Sequence, residues 1–182
     1  IQGPWLMEQM RLQAEHVGTK LVSDHIVEAH LDERPFRLTG DSGKSYTCDS
    51  LIVATGAKAK WLGLPSEEKF KGFGVSACAT CDGFFFRGKK VLVVGGGNSA
   101  VEEALYLSNL ASHVTIIHRR DEFRSERVLV KRLLAQENVS ILFNHVIDEI
   151  VGDENPLSVT GARVKNVATG AIHTLEADGG FV

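Results

Sequence analysis

The chain has 182 residues, with 20 Lys and Arg against 23 Asp and Glu and a formal charge of -3. That length suits one or two domains of about 100–200 residues each and leaves room for a real core. A hydrophobic share of 43% and a charged share of 24% exclude a disordered chain, and a slightly acidic balance without a basic block excludes nucleic acid as the main partner. No apolar run approaches the ~20 residues of a membrane span. The opening, Ile1 to Met7 and then Glu8, lacks the basic-then-apolar layout of a signal peptide, so the expectation is a soluble, cytoplasmic protein.

Leu6, Met10, Ala14 and Val17 recur at helical spacing behind Pro4, which predicts a helix. Leu21 to Leu31 reads as a strand, and Phe36 to Leu38 with Ser45 to Cys48 as a β-hairpin across a turn-rich stretch. Leu51 to Ala54 is a continuous apolar run ending in Thr55-Gly56, the pattern of a buried strand feeding a loop. Lys58 to Gly74, rich in Gly and Lys and holding Pro65, is the expected domain boundary.

The second half is more regular. Lys90 to Val94, His113 to Ile117 and Val139 to Phe143 read as strands, alternating with helices over Ala100–Leu110 and Ser125–Gln136. Ser125 is placed to cap the second of these helices. A β-α-β-α-β order implies parallel strands with right-handed crossovers. From Ile147 onward, short β-like runs broken by Gly152, Asn155-Pro156, Gly161 and Gly170 predict a small antiparallel excursion. The chain starts without Met and stops at Gly179-Gly-Phe-Val182, the start of an apolar run with nothing to pair with, so both ends read as cut.

Glycine makes up 18 of the 182 residues, above the average of about 7%, and it clusters. Gly95-Gly96-Gly97-Asn98-Ser99-Ala100 follows a predicted strand and opens a predicted helix, the setting that a G-x-G-x-x-A dinucleotide loop requires. Gly95 permits the tight turn, Gly97 lets the backbone approach a pyrophosphate, and Ala100 allows close helix–strand packing. Free N–H groups at the helix start would face the phosphates.

The end of the next strand selects the dinucleotide. An NAD protein carries Asp or Glu there for the ribose 2′-OH; this chain carries His118-Arg119-Arg120, with Arg124 one turn further on. Guanidinium groups match a 2′-phosphate bidentately. Two well-made charge-assisted bonds imply a preference for NADP on the order of 10²- to 10⁴-fold, so the expected cofactor is NADPH.

Cys78-Ala-Thr-Cys81-Asp82-Gly83 is a lone CxxC. A structural zinc site needs four ligands, and Cys48 with seven His offers no second ligand pair at finger-like spacing. Two inert core cysteines are one reading. A redox dithiol with Asp82 as a neighbouring proton relay is the other, and the NADPH loop downstream favours it. Cys48, at the end of a β-run, reads as a buried small hydrophobe.

These residues together, Cys78-Ala-Thr-Cys81-Asp82-Gly83, then Gly95-Gly-Gly-Asn-Ser-Ala-Val-Glu-Glu-Ala104 and His118-Arg-Arg-Asp-Glu-Phe-Arg124, closely resemble the low-molecular-weight, bacterial-type thioredoxin reductases. The resemblance continues upstream through Ala54-Thr-Gly-Ala57 and Gly63-Leu-Pro-Ser-Glu-Glu68. It implies an α/β chain in which a Rossmann-like NADPH-binding domain is inserted into an incomplete Rossmann-like FAD domain. The expected division is a partial FAD-binding domain over 1–60, a connector over 61–74 and the NADPH-binding domain with its CxxC over 75–182.

The resemblance further implies electron transfer from NADPH through FAD and a Cys78–Cys81 disulfide to thioredoxin, in a homodimer. Asp82 would be the acid/base group and Cys81 the cysteine nearer the flavin. Thr55 and Gly56 would lie on the FAD-facing strand end, Gly95 to Ala100 would hold the pyrophosphate, His118, Arg119, Arg120 and Arg124 the 2′-phosphate, and Glu102 the nicotinamide side. The family's first glycine fingerprint, for the adenosine diphosphate of FAD, has no counterpart in these residues. A related flavin disulfide reductase serving a peroxiredoxin and a non-catalytic NADP-binding module are the competing expectations.

Overall fold

A computed structural model describes residues 2–182. The chain divides into two compact units, Ile1–Gly56 and Ala57–Val182.

In the first unit, helix α1 (Gly3–His16) carries Pro4 in its first turn, where the missing N–H costs nothing. Arg11 forms ion pairs with Glu8 and Glu15 along its surface. Strands β1 (Ile26–His30), β2 (Phe36–Gly40) and β3 (Ser45–Cys48) form an antiparallel sheet in the order β1-β2-β3. The β2–β3 turn is tied down by Asp24. Its carboxylate accepts from Ser42 Oγ at 2.6 Å and from the Tyr46 hydroxyl at 2.5 Å, and these two hydroxyls hold its pKa far below the usual carboxylate range.

Three expectations for this unit are corrected. Of the run Leu21 to Leu31 only the second half is strand. Leu51 to Ala54 is not a buried strand: no helix or strand covers it, and Ile52 is 90% exposed. A buried parallel strand needs a neighbour in its ladder and layers on both faces, and the described residues of this unit supply neither. Cys48 is a free thiol, half-buried rather than in a core.

The first helix of the second unit is α2 (Pro65–Phe70), within the stretch expected as the connector; its Glu67 and Phe70 are buried. Next come β4 (Val75–Ser76), α3 (Ala79–Asp82), a single 3₁₀ turn at Gly83–Phe86, β5 (Lys90–Val94), α4 (Asn98–Ser108), β6 (His113–His118), α5 (Arg127–Leu134) and β7 (Val139–Phe143). Strands β8 (His145–Glu154), β9 (Leu157–Asn166) and β10 (Ile172–Glu176) form the antiparallel excursion, in the order β10-β9-β8. The final strand is β11 (Gly179–Phe181).

The main sheet is parallel, in the order β4-β11-β5-β6-β7. The apolar run that was expected to lack a partner therefore lies inside the sheet, flanked by β4 and β5. Two layers cover this sheet, and the period-2 alternation of its strands assigns residues to each. Val91 and Val93 of β5, with Val114 and Ile116 of β6, pack on Val101, Ala104 and Leu107 of α4 and Leu133 of α5. Leu92 and Ile117 point the other way, against Phe70 of α2 and Ile147, Ile150, Val159 and Ala162 of the antiparallel layer.

Candidate active site

In a parallel sheet, ligands gather beyond the carboxyl ends of the strands. Three of the segments singled out above leave the sheet at that end: the CxxC after β4, the glycine loop after β5 and the arginine segment after β6. Strands lie about 4.8 Å apart, so the arginine segment is one spacing from the glycine loop and the CxxC, across β11, about two.

The glycine loop is held from both sides. Gly95 has φ +141°, and a Cβ there would lie 2.8 Å from the Cβ of Ala100, so both small residues of the fingerprint are required by packing. A Cβ on Gly96 would fall within the His118 imidazole, whereas one on Gly97 would meet open space. Gly97 is the N-cap of α4 and no side chain caps the helix, which leaves its first N–H groups toward that space. Asn98 accepts from Ser125 Oγ and from the Glu126 N–H, both at 2.9 Å. Ser125, expected from its position to cap α5, does not do so; Glu126 is the N-cap, without a side-chain bond.

After β6 the four basic residues separate. Arg119, Arg120 and Arg124 are exposed, while His118 is only 5% exposed. The imidazole stacks on Phe123 and donates from Nε2 to the Glu122 carbonyl at 3.0 Å. Burial pushes its pKa below the ordinary histidine value. The Glu122 bond opposes that shift, and the charges of Arg120, Arg124 and Arg119 add to it. The Arg124 N–H in turn donates to the Gly96 carbonyl at 2.8 Å, so the loop, the histidine and the arginine segment form one connected piece.

Cys78 and Cys81 form a disulfide with Cα atoms 5.2 Å apart. Cys78 is the N-cap of α3, and its sulfur accepts the Cys81 N–H at 3.2 Å. Cys81 is the more exposed of the two. Asp82 accepts from Ser76 Oγ at 2.6 Å, and the same Oγ accepts the Cys78 N–H at 3.0 Å. Gly83 is buried against Leu107 and Tyr106 of α4, which explains the glycine after the aspartate. The Ala79 N–H donates to Glu103 at 3.3 Å.

Ser76 and Glu103 were not singled out in the sequence. The helical period could have found Glu103: Val101, Ala104 and Leu107 are the buried positions of α4, and residue 103 flanks them four positions before Leu107. Glu102 is exposed. Thr55 and Gly56, in the first unit, are exposed and outside any helix or strand.

The model of the pyridine nucleotide-disulphide oxidoreductases matches residues 7–182. The chain belongs to that family. Among curated members, thioredoxin reductase of Rickettsia conorii is 56% identical over 182 residues, all of this chain and 59% of that protein. The Vibrio cholerae thioredoxin reductase is 56% identical over 185 residues, covering 57% of that protein. The chain thus spans a little over half the length of these oxidoreductases. Among solved structures, thioredoxin reductase from Giardia duodenalis superposes with a TM-score of 0.80 at 39% identity, over all of this chain and 58% of that one. The Lactococcus lactis enzyme in its FR conformation gives 0.74 at 35% identity, over 59% of its chain. The oxidoreductase family and the α/β fold with its parallel sheet are as the motifs implied.

Proposed function

We propose that this chain is the pyridine-nucleotide and dithiol part of a thioredoxin reductase, which uses NADPH to reduce the disulfide of thioredoxin by way of FAD and the Cys78–Cys81 pair. The observation that carries this reading is the shared carboxyl edge of the parallel sheet, from which the glycine loop, the arginine segment and the disulfide all emerge.

The residues fit NADPH. The uncapped N-terminus of α4 and the open space over Gly97 suit a pyrophosphate. Arg119, Arg120 and Arg124, one strand away and free in solvent, suit a 2′-phosphate. His118 orients that segment through its packing under Gly96. Glu102, exposed one turn into α4, is read on the nicotinamide side.

For FAD this chain offers Thr55 and Gly56, with no second glycine-rich phosphate loop among the described residues. When bound, FAD supplies the conversion of a hydride from NADPH into electrons that a disulfide accepts. The residues of this chain act at the disulfide. The α3 N-cap position favours negative charge on the Cys78 sulfur, which Cys81 N–H already contacts. Asp82 holds and releases the proton that reduction of the sulfur pair requires. The whole enzyme is read as a cytoplasmic homodimer with thioredoxin as its protein substrate. The slightly acidic charge of this chain, and the absence of a helix long and apolar enough to cross a membrane among the described residues, support a reading without nucleic acid or membrane.

The test has two parts. NADPH titrated into the purified chain is expected to bind at least ~10-fold more tightly than NADH. The flavin-loaded enzyme is then expected to reduce thioredoxin with NADPH, and Cys78→Ser to abolish that reduction while leaving NADPH binding intact. No NADPH binding, or full activity without Cys78, overturns the reading.

A further inference from the structure

Ser76 is buried, 8% exposed, in the two-residue strand that ends just before the redox turn. Its backbone is fixed by the sheet: it pairs with Phe181 of β11, and its carbonyl accepts the Val182 N–H at 3.0 Å. Its side chain serves two partners. The hydroxyl accepts the Cys78 N–H at 3.0 Å and donates to Asp82 Oδ2 at 2.6 Å. The alternative acceptor, the Cys78 carbonyl, lies at 3.4 Å, so the single hydroxyl proton goes to the carboxylate.

A hydroxyl-to-carboxyl bond of this length is short and directional. It ties one carboxylate oxygen to a point on the sheet and leaves Oδ1 to carry a proton. The remaining charged groups around this corner are not bonded to Asp82. Lys89 and Asp178 line the cavity it shares with Phe85 and Phe86, and Glu103 is engaged by the Ala79 N–H. Ser76 is therefore the hydrogen-bond donor that decides how the Asp82 side chain is turned.

We infer that Ser76 is a positioning residue for the dithiol chemistry: its hydroxyl holds Asp82 so that the carboxyl can hand a proton to the sulfur released when the Cys78–Cys81 bond is broken. This rests on the reading of Asp82 as the proton relay. The step can be observed without NADPH, FAD or thioredoxin, using dithiothreitol as the reductant. One dithiothreitol thiolate bonds to one protein sulfur, the S–S bond breaks, and the other protein sulfur leaves with the electron pair and takes the proton from Asp82. The second dithiothreitol thiol then closes its own ring, breaking the mixed disulfide, and the first protein sulfur leaves with the electron pair and takes up the proton that this thiol gives up. The products are oxidised dithiothreitol and two protein thiols, with Asp82 reprotonated from water.

The experiment is a double-mutant cycle on the rate of disulfide reduction by dithiothreitol in the 182-residue chain, with near-UV circular dichroism checking each fold. Asp82→Asn is expected to slow reduction by about 10²-fold, and Ser76→Ala by about 10-fold. Ser76→Thr, which keeps the hydroxyl, is expected to stay within about 2-fold of the native rate. In the Asp82→Asn background Ser76→Ala should add less than about 2-fold, because Ser76 acts through that carboxylate.

A Ser76→Ala loss equally large in both backgrounds overturns the inference, as does no loss at all. An unaltered rate for Asp82→Asn overturns the proton-relay reading itself, and the inference with it. If Ser76→Ala does not fold, Ser76→Thr against Ser76→Val, of equal shape but without the hydroxyl, carries the same comparison.

Discussion

The imidazole of His118 occupies the volume that a side chain on Gly96 would need. The middle glycine of the loop is therefore constrained by the strand next door, and Gly97, beside it, faces open space. The two positions should respond differently to the same substitution. Gly96→Ala is expected to cost about 1–3 kcal/mol of stability by forcing the ring aside. Gly97→Ala should cost about 0.5 kcal/mol, an N-cap preference, yet lose NADPH affinity at least ~10-fold by filling the space a pyrophosphate would use. Denaturant unfolding and NADPH titration of both variants check this, and equal stability losses would contradict it.

Arg119, Arg120 and Arg124 are exposed while His118 is not, so the phosphate preference should reside in the arginines. Replacing Arg119 and Arg120 by Gln is expected to weaken NADPH by about 10- to 100-fold, given roughly 1.5–3 kcal/mol per charge-assisted bond discounted for solvent exposure. NADH should change by less than about 3-fold. Calorimetric titration with both nucleotides decides, and parallel losses would remove the 2′-phosphate assignment.

Much of the second unit was legible in the chain. Lys90–Val94 and Val139–Phe143 are strands over the residues expected; in the first, Val91 to Val93 form the continuous apolar run of a buried parallel strand, and the second is the half-buried edge strand of the same sheet. Leu51 to Ala54 has the same local pattern and is not a strand. A local pattern records readiness to be buried; the neighbour that completes a ladder lies elsewhere in the chain. The reverse error occurred at Gly179-Gly180-Phe181. Two glycines carry no periodic signal, and Gly179 is there because Phe86 packs where its Cβ would be. At the site, the CxxC, the glycine loop and the arginine segment leave the sheet at one edge, but Ser76 and Glu103 act through hydrogen bonds to the backbone or to another side chain. Such pairings depend on which turn lies opposite, and spacing along the sequence does not encode that.

The buried imidazole gives the second unit a pH dependence of known sign. Burial places the folded-state pKa of His118 below its ordinary value, which is about 6.5 in an unfolded chain. Between those two values the unfolded state holds more protons, so stability rises with pH and is lost as pH falls below about 6.5. Urea unfolding between pH 5 and 7.5 should show that slope, and His118→Gln should flatten it. A variant slope equal to the native one would assign the effect to other groups.

Glu67, 1% exposed, accepts the N–H groups of Leu62 and Gly63 at 2.9 and 2.8 Å. Its two oxygens close the turn that leads into α2. Glu67→Gln keeps one acceptor and should cost about 1–2 kcal/mol, while Glu67→Ala leaves both donors unpaired and should cost about 2–4 kcal/mol. The shift of the urea midpoint measures both. A loss below about 0.5 kcal/mol for the alanine variant would show that water replaces the carboxylate.

β11 separates β4 from β5, and among the described residues β4 has no other strand beside it in the sheet. During synthesis every other strand of this sheet leaves the ribosome before residues 179–181. Until they emerge, Val91 to Val93 present a bare edge, and the short strand that carries Ser76 has no frame on which to rest. The nascent polypeptide therefore exposes its cysteine pair before the scaffold that orients it exists.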